Sequence, residues 1–154
     1  MAHCDLAEYE KAIECFEKAL TLDSDNPFIW YNKGIAYSNL CDLECALSCF
    51  EEVLKLDPSY DNAWINKGLM LCMLGKYRDA IKCYENISFD RDSMTDEKKA
   101  FVWNNKGIAH SYLGEYEDAI KCFTKVLHID PDYDDAKSNM QKVIRKLSAE
   151  ESDN

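Results

Sequence analysis

The sequence predicts an all-α fold of stacked helical hairpins, and three observations predict it. Trp30, Trp64 and Trp103 each open the run Trp-x-x-Lys-Gly, which ends at Gly34, Gly68 and Gly107, and Trp64 follows Trp30 by 34 residues and Trp103 follows Trp64 by 39. Small residues (Ala46, Ala80, Ala119) and aromatics (Phe50, Tyr84, Phe123) recur in the same register, and an earlier half-copy places Ala12 and Phe16 in those two slots. Leu47, Phe50, Val53 and Leu54 follow one another at three- and four-residue steps or less, an apolar stripe of helical period. A period of this size means one supersecondary unit copied along the chain, each copy too small to bury its apolar face alone.

The elements follow in order. Residues 1–6 are expected as the stub of a front helix and 8–22 as the first back helix, together a partial repeat over 1–26. Asp25-Asn26-Pro27 then supplies a cap and a first-turn proline. Full repeats cover 27–60, 61–99 and 100–133, with helix pairs at about 27–60, 61–92 and 95–130. Gly34 and Ala46 are the expected close-approach points of the first pair. Asp57-Pro58 and Asp130-Pro131 end back helices, because the residue before proline is pushed out of helical geometry. Between Ile87 and Trp103 the chain is five residues longer and lacks that proline, which predicts a longer turn and a front helix extended backward to a cap at Ser93 or Thr95. The last helix, 134–149, starts under Asp132, Asp134 and Asp135 and carries Lys137, Lys142, Arg145 and Lys146 further along, as suits the helix dipole. It has no tryptophan or glycine and reads as a cap on a single array over 1–149, with 150–154 a disordered tail.

Tryptophan in the fourth slot, glycine in the eighth, alanine in the twentieth and an aromatic in the twenty-fourth resemble the tetratricopeptide repeat, a 34-residue helix–turn–helix. The resemblance runs from about Leu6 to Pro131 and implies a right-handed α-α superhelix. Two departures stand out. Lys33, Lys67 and Lys106 replace the leucine before the glycine, and the front-helix tyrosine is kept only as Tyr37, becoming Leu71 and His110. A lysine stem can lie along apolar surface while its charge reaches water, so the fold survives the first.

In that family the front helices line a concave groove that holds a peptide or a partner helix. Carried across, the groove slots are Phe28, Tyr31, Asn32, Ile35, Ser38 and Asn39 in the first full repeat. The second supplies Asn62, Ile65, Asn66, Leu69, Cys72 and Met73, and the third Phe101, Asn104, Asn105, Ile108, Ser111 and Tyr112. The surface is apolar and rich in amides. Asn32, Asn66 and Asn105 share one slot, and two roles are open to them: hydrogen bonding to a ligand backbone, or satisfying neighbouring backbone groups. A family variant clamps a chaperone's C-terminal carboxylate with lysines, asparagines and an arginine. The corresponding places hold Tyr31, Ile35, Asn66, Phe101 and Asn105, of which only Asn66 fits, so that clamp is not expected.

The implied function is a scaffold or adaptor module that binds an apolar peptide or amphipathic helix. The alternative is a structural segment of a longer repeat protein, or an end-to-end homo-oligomer formed through the N-terminal helix, where Ala12, Ile13, Phe16 and Ala19 are expected to lack cover. A formal charge of −11 over 154 residues disfavours nucleic acid. No apolar run is long enough to span a membrane. Among the eight cysteines, Cys15, Cys49, Cys83 and Cys122 share one slot, and Cys4 and Cys72 another, which marks packing positions for a small hydrophobe. Cys41, Cys45 and Cys49 step four residues along what reads as one helix, but no second set offers zinc-site spacing. So many thiols point to a reducing, cytoplasmic setting. His110 occupies a packing slot, and no phosphate loop, zinc-protease helix or nucleophile elbow is present. An enzyme is not expected, nor is a cofactor or a metal.

Overall fold

The computed structural model describes residues 2–152, with side chains from Leu6 to Glu150. Its described residues form helices and turns and no strand, and the chain divides into two compact units, Met1–Leu74 and Gly75–Asn154. The first holds α1 (Ala2–Leu22), α2 (Pro27–Asn39), α3 (Leu43–Leu56) and α4 (Asp61–Met73). The second holds α5 (Tyr77–Glu85), α6 (Asp96–Tyr112), α7 (Tyr116–Ile129) and α8 (Asp134–Ser152). Within each unit every helix packs on the next in sequence. Among the described residues no helix is long and apolar enough to cross a membrane.

Local chemistry sets the helix ends. Asn26 Oδ1 accepts from the Phe28 amide at 3.0 Å, with Pro27 at the first helical position. Asp42 Oδ1 accepts from the Cys45 amide at 3.1 Å, and Thr95 Oγ1 from the Lys98 amide at 3.3 Å, so Thr95 is the cap of the extended front helix. Each hairpin turn needs one left-handed residue: Gly75 (φ 73°), Gly114 (φ 75°) and, without the glycine, Cys41 (φ 59°). In the first copy that slot is Ala7, which resists positive φ. The expected stub at 1–6 and back helix from 8 are accordingly one continuous helix, α1. At the other end α8 runs to Ser152 instead of stopping at 149, and 153–154 lie outside the described residues.

In the first unit the core is Ala46, Phe50, Val53, Leu54, Ala63 and Met70, flanked by Trp30, Tyr31, Ile35, Tyr37 and Trp64. The ring of Phe50, and not Ala46, is what Gly34 makes room for: a Cβ on Gly34 would lie 2.8 Å from Phe50 Cε1. The second unit repeats the arrangement around Ala119, Phe123, Val126, Ala136 and Val143, where a Cβ on Gly107 would lie 2.7 Å from Phe123 Cε1. Packing of α2 on α1 buries Ile13 and half-buries Ala12, Phe16 and Ala19, so that face is covered, contrary to the expectation.

The three lysines that depart from the repeat pattern have a common role. Lys33, Lys67 and Lys106 pair with Glu17, Glu51 and Glu85 of the preceding back helix, each at 3.0 Å. Their ammonium groups lie 5.5, 5.9 and 5.6 Å from the rings of Trp30, Trp64 and Trp103. The lysine stems are largely buried and the glutamates about half exposed, so each pair contributes about 0.2–1 kcal/mol. Their value lies in fixing how one hairpin docks on the next. The indole N–H groups anchor the same joints: Trp30 Nε1 donates to Ser24 O at 2.8 Å and Trp64 Nε1 to Pro58 O at 2.9 Å.

Candidate functional site

The front helices are α2 and α4 in the first unit and α6 in the second. On α2 and α4, Phe28 is 66% exposed, Met73 57% exposed, and Asn39 is exposed at the end of its helix. Tyr31, Asn32, Ile35, Asn62, Asn66 and Leu69 are half-buried. Tyr31 joins the two helices. Its ring lies 5.9 Å from Phe50 and 5.1 Å from Tyr60, and its hydroxyl accepts from Asn66 Nδ2 at 3.0 Å. Burial, with Tyr60 beside it, raises the Tyr31 pKa, so the phenol stays protonated and keeps its own O–H as a donor. Ile65 departs from the expected lining: at 8% exposure it belongs to the packed interior.

The recurring asparagines resolve their two open roles largely inward. Asn32, Asn66 and Asn105 donate from Nδ2 to the carbonyls of Phe28, Asn62 and Phe101 one turn back, at 2.7, 2.8 and 2.8 Å. Asn39 does the same toward Ile35 at 2.9 Å. Each of Asn32 and Asn105 retains one N–H and the carboxamide oxygen for another partner.

On α6, Tyr112 is 68% exposed and stacks face to face on Tyr77, with centroids 4.6 Å apart and planes at 3°. Phe101, Asn105 and Ile108 are half-buried. Asn104 is the second departure. It is 6% exposed, and among the described residues its Oδ1 has no hydrogen-bond partner. The same slot carries Tyr31 and Ile65 in the other copies. An orphaned buried oxygen destabilises the fold, whereas an apolar residue of similar size carries no such penalty. Asn104→Ile should therefore raise stability by about 1–2 kcal/mol, read as a higher denaturant midpoint; a lower midpoint would show that Asn104 holds a partner in solution.

Sequence reasoning missed Tyr60 and Tyr77, which carry Tyr31 and Tyr112. Tyr60 was findable: Asp-Pro-x-Tyr recurs as Asp57–Tyr60 and Asp130–Tyr133. His110 is packed, and its Nδ1 lies 2.6 Å from Glu115 Oε2, while Arg78 reaches Glu115 Oε1 at 3.4 Å. That network ties α5, α6 and α7 at their turn ends.

The described thiols differ in exposure, with Cys72 half-buried between two groups. Cys49, Cys83 and Cys122 are buried; Cys15, Cys41 and Cys45 are exposed. Cys41 sits in the turn before α3, so only Cys45 and Cys49 share that helix. Burial pushes the Cys49 and Cys122 thiols up to about 11. A disulfide reagent at neutral pH should label Cys15 and Cys41 quickly, Cys45 more slowly because its hydrogen bond to Asp42 raises its pKa, and Cys49, Cys83 and Cys122 only on unfolding. The unfolded chain releases the Cys49 and Cys122 protons near pH 9 and the folded chain near 11, so this contribution to stability is full below pH 9 and lost as pH rises toward 11.

Models of the tetratricopeptide repeat match residues 27–60 and 100–133, and two further models of the same repeat match 2–40 and 49–82. Among curated proteins none matches by sequence. The fold is similar to that in a crystal structure of MamA, with a TM-score of 0.82 at 18% identity, over 92% of this chain and 75% of that one. It is also similar to MamA 41-end from Desulfovibrio magneticus RS-1, with a TM-score of 0.72 at 23% identity, over 92% and 86% of the two chains. The first TPR of Spaghetti (RPAP3) bound to HSP90 peptide SRMEEVD gives a TM-score of 0.70 at 19% identity, over 79% and 93%. At these identities the likeness establishes the fold class, all-α and built of helix-turn-helix repeats, and nothing finer.

Proposed function

The chain belongs to the tetratricopeptide-repeat family, and from that premise we propose that it is a protein-interaction module holding an apolar peptide or amphipathic helix on the exposed faces of its front helices. The observation that carries this reading is the exposure of Phe28 and Met73 on α2 and α4 of the first unit. Large apolar side chains left in water on a helix face mark interaction surfaces, and aromatic anchors usually supply most of an interface's energy. Both fall on slots that the family uses for ligands, as does the exposed Tyr112 within the second unit. The relative bound to an HSP90 peptide supports peptide recognition by this fold.

The chemistry of the ligand differs from that peptide's. Tyr31, Ile35 and Asn66 in the first unit, and Phe101 and Asn105 in the second, offer amides and apolar faces and no cation, so a ligand rich in carboxylates finds nothing on either to neutralise it. An apolar helix face would bury Phe28 and Met73, and its polar edge would meet the remaining amide groups of Asn32.

The test uses exposed positions, since a charge at Ile65 would damage the interior. Phe28→Asp with Met73→Asp should leave the circular dichroism spectrum unchanged and weaken partner binding by about 2 kcal/mol or more, roughly thirtyfold in affinity. Ser48→Asp, on the exposed side of α3, is the control and should bind as wild type. Loss of binding on Leu6→Glu instead, with the double variant unaffected, would move the function to α1 and to end-to-end association.

A further inference from the structure

The last back helix breaks a rule that the other three obey. Glu17, Glu51 and Glu85 each follow the core aromatic Phe16, Phe50 or Tyr84, and each takes a lysine from the next front helix. In α7 that slot is Thr124, and the lysine's counterpart in α8 is Met140, so no latch forms. Beside Thr124 a surface pocket of about 430 Å³ opens, lined by Trp103, Thr124, Lys125, His128 and Ile129. Its volume falls within the range of small-ligand sites.

A tryptophan pocket in the first unit shows what is unusual here. That one, about 290 Å³, is lined by Glu51, Leu54, Lys55, Trp64 and Lys67. Its charges are cancelled internally: Lys67 pairs with Glu51, and Lys55 with Glu52. In the second unit Lys125 lies 3.7 Å from the Trp103 ring centroid, and among the described residues neither Lys125 nor His128 has an acidic partner. The longer segment before α6 braces the tryptophan. Phe89 stacks on Trp103, with centroids 5.1 Å apart and planes at 16°, and holds the indole in place.

We propose that this pocket is a second binding site, for an acidic peptide segment in which an apolar side chain flanks a carboxylate. The apolar side chain packs between Trp103 and Ile129, and the carboxylate accepts hydrogen bonds from Lys125 and His128. What sets this pocket apart from the one in the first unit is that, among the described residues, its two basic groups have no acid beside them while its wall is apolar. The chain's overall charge of −11 opposes every anionic ligand, and the pocket's two basic groups match a single carboxylate better than a run of phosphates. The pocket uses Trp103 of α6 but none of the residues assigned to the groove.

The probe is a fluorescein-labelled Asp-Phe-Asp peptide blocked at both ends, followed by anisotropy with the full chain, with Asn-Phe-Asn as the neutral control. The acidic peptide should bind saturably and the neutral one roughly tenfold more weakly. Thr124→Glu, which restores the acid of the other copies at an exposed position, should weaken the acidic peptide by roughly tenfold or more, as should Lys125→Met. Ser48→Asp, on the exposed side of α3 in the other unit, should bind as wild type, and thermal melts confirm that the variants fold. Equal binding of the two peptides, unaltered affinity in Thr124→Glu, no saturation by about 1 mM, or preference for a single-stranded oligonucleotide would each overturn the proposal.

Discussion

Phe123→Ala and Phe50→Ala should each remove about 3–5 kcal/mol of stability. Both rings are fully buried and occupy the space left by a glycine on the facing front helix. Truncation loses the transfer free energy of the ring and leaves a cavity that the helices around it cannot fill, because Ala46, Ala63, Ala119 and Ala136 already bring them close. Domains of this size are stable by roughly 5–15 kcal/mol, so either variant should melt far earlier in urea and approach the limit of folding. A loss below about 1 kcal/mol would mean that these aromatics are not the centres of their hairpins.

Gly107→Ala should also destabilise, against the ordinary preference. In an exposed helix interior the change favours folding by about 1 kcal/mol. Here the new methyl would sit 2.7 Å from Phe123 Cε1 and 3.0 Å from Cδ1, and the ring is fully enclosed. Overpacking of this kind costs about 1–3 kcal/mol, which exceeds the propensity gain. Gly34→Ala, at 2.8 Å from Phe50 Cε1, should behave alike. A double-mutant cycle with Phe123→Leu isolates the clash. The pair should be more stable than the sum of the single changes predicts, and strict additivity would contradict the packing argument.

The repeat register made the helical hairpins legible, because slots recurring at one spacing must face one environment. Gly34 could be read as a contact point, yet its partner was misjudged: Ala46 and Phe50 lie one turn apart on the same stripe, and only coordinates show which meets the glycine. Ile65 and Asn104 were expected on the ligand-facing surface and are buried. Their slot borders both the outer face and the next hairpin, and sequence periodicity cannot separate two directions so close in angle. Asn104 was the more misleading, since a buried amide looks on paper like an exposed one. Phe89 lay outside every repeat slot, so its stacking on Trp103 had no sequence signal. The lysines before the glycines were noticed as departures, but the acids they pair with lie 16 to 21 residues away and have no marker until the hairpins are docked.

Site-specific photocrosslinking tests the reading of the front helices most directly. A benzoylphenylalanine placed at position 28 or 73 should crosslink to the bound partner, and one at position 48 on the exposed side of α3 should not. Adducts at 48 with none at 28 or 73 would contradict the account and place the partner on the back helices.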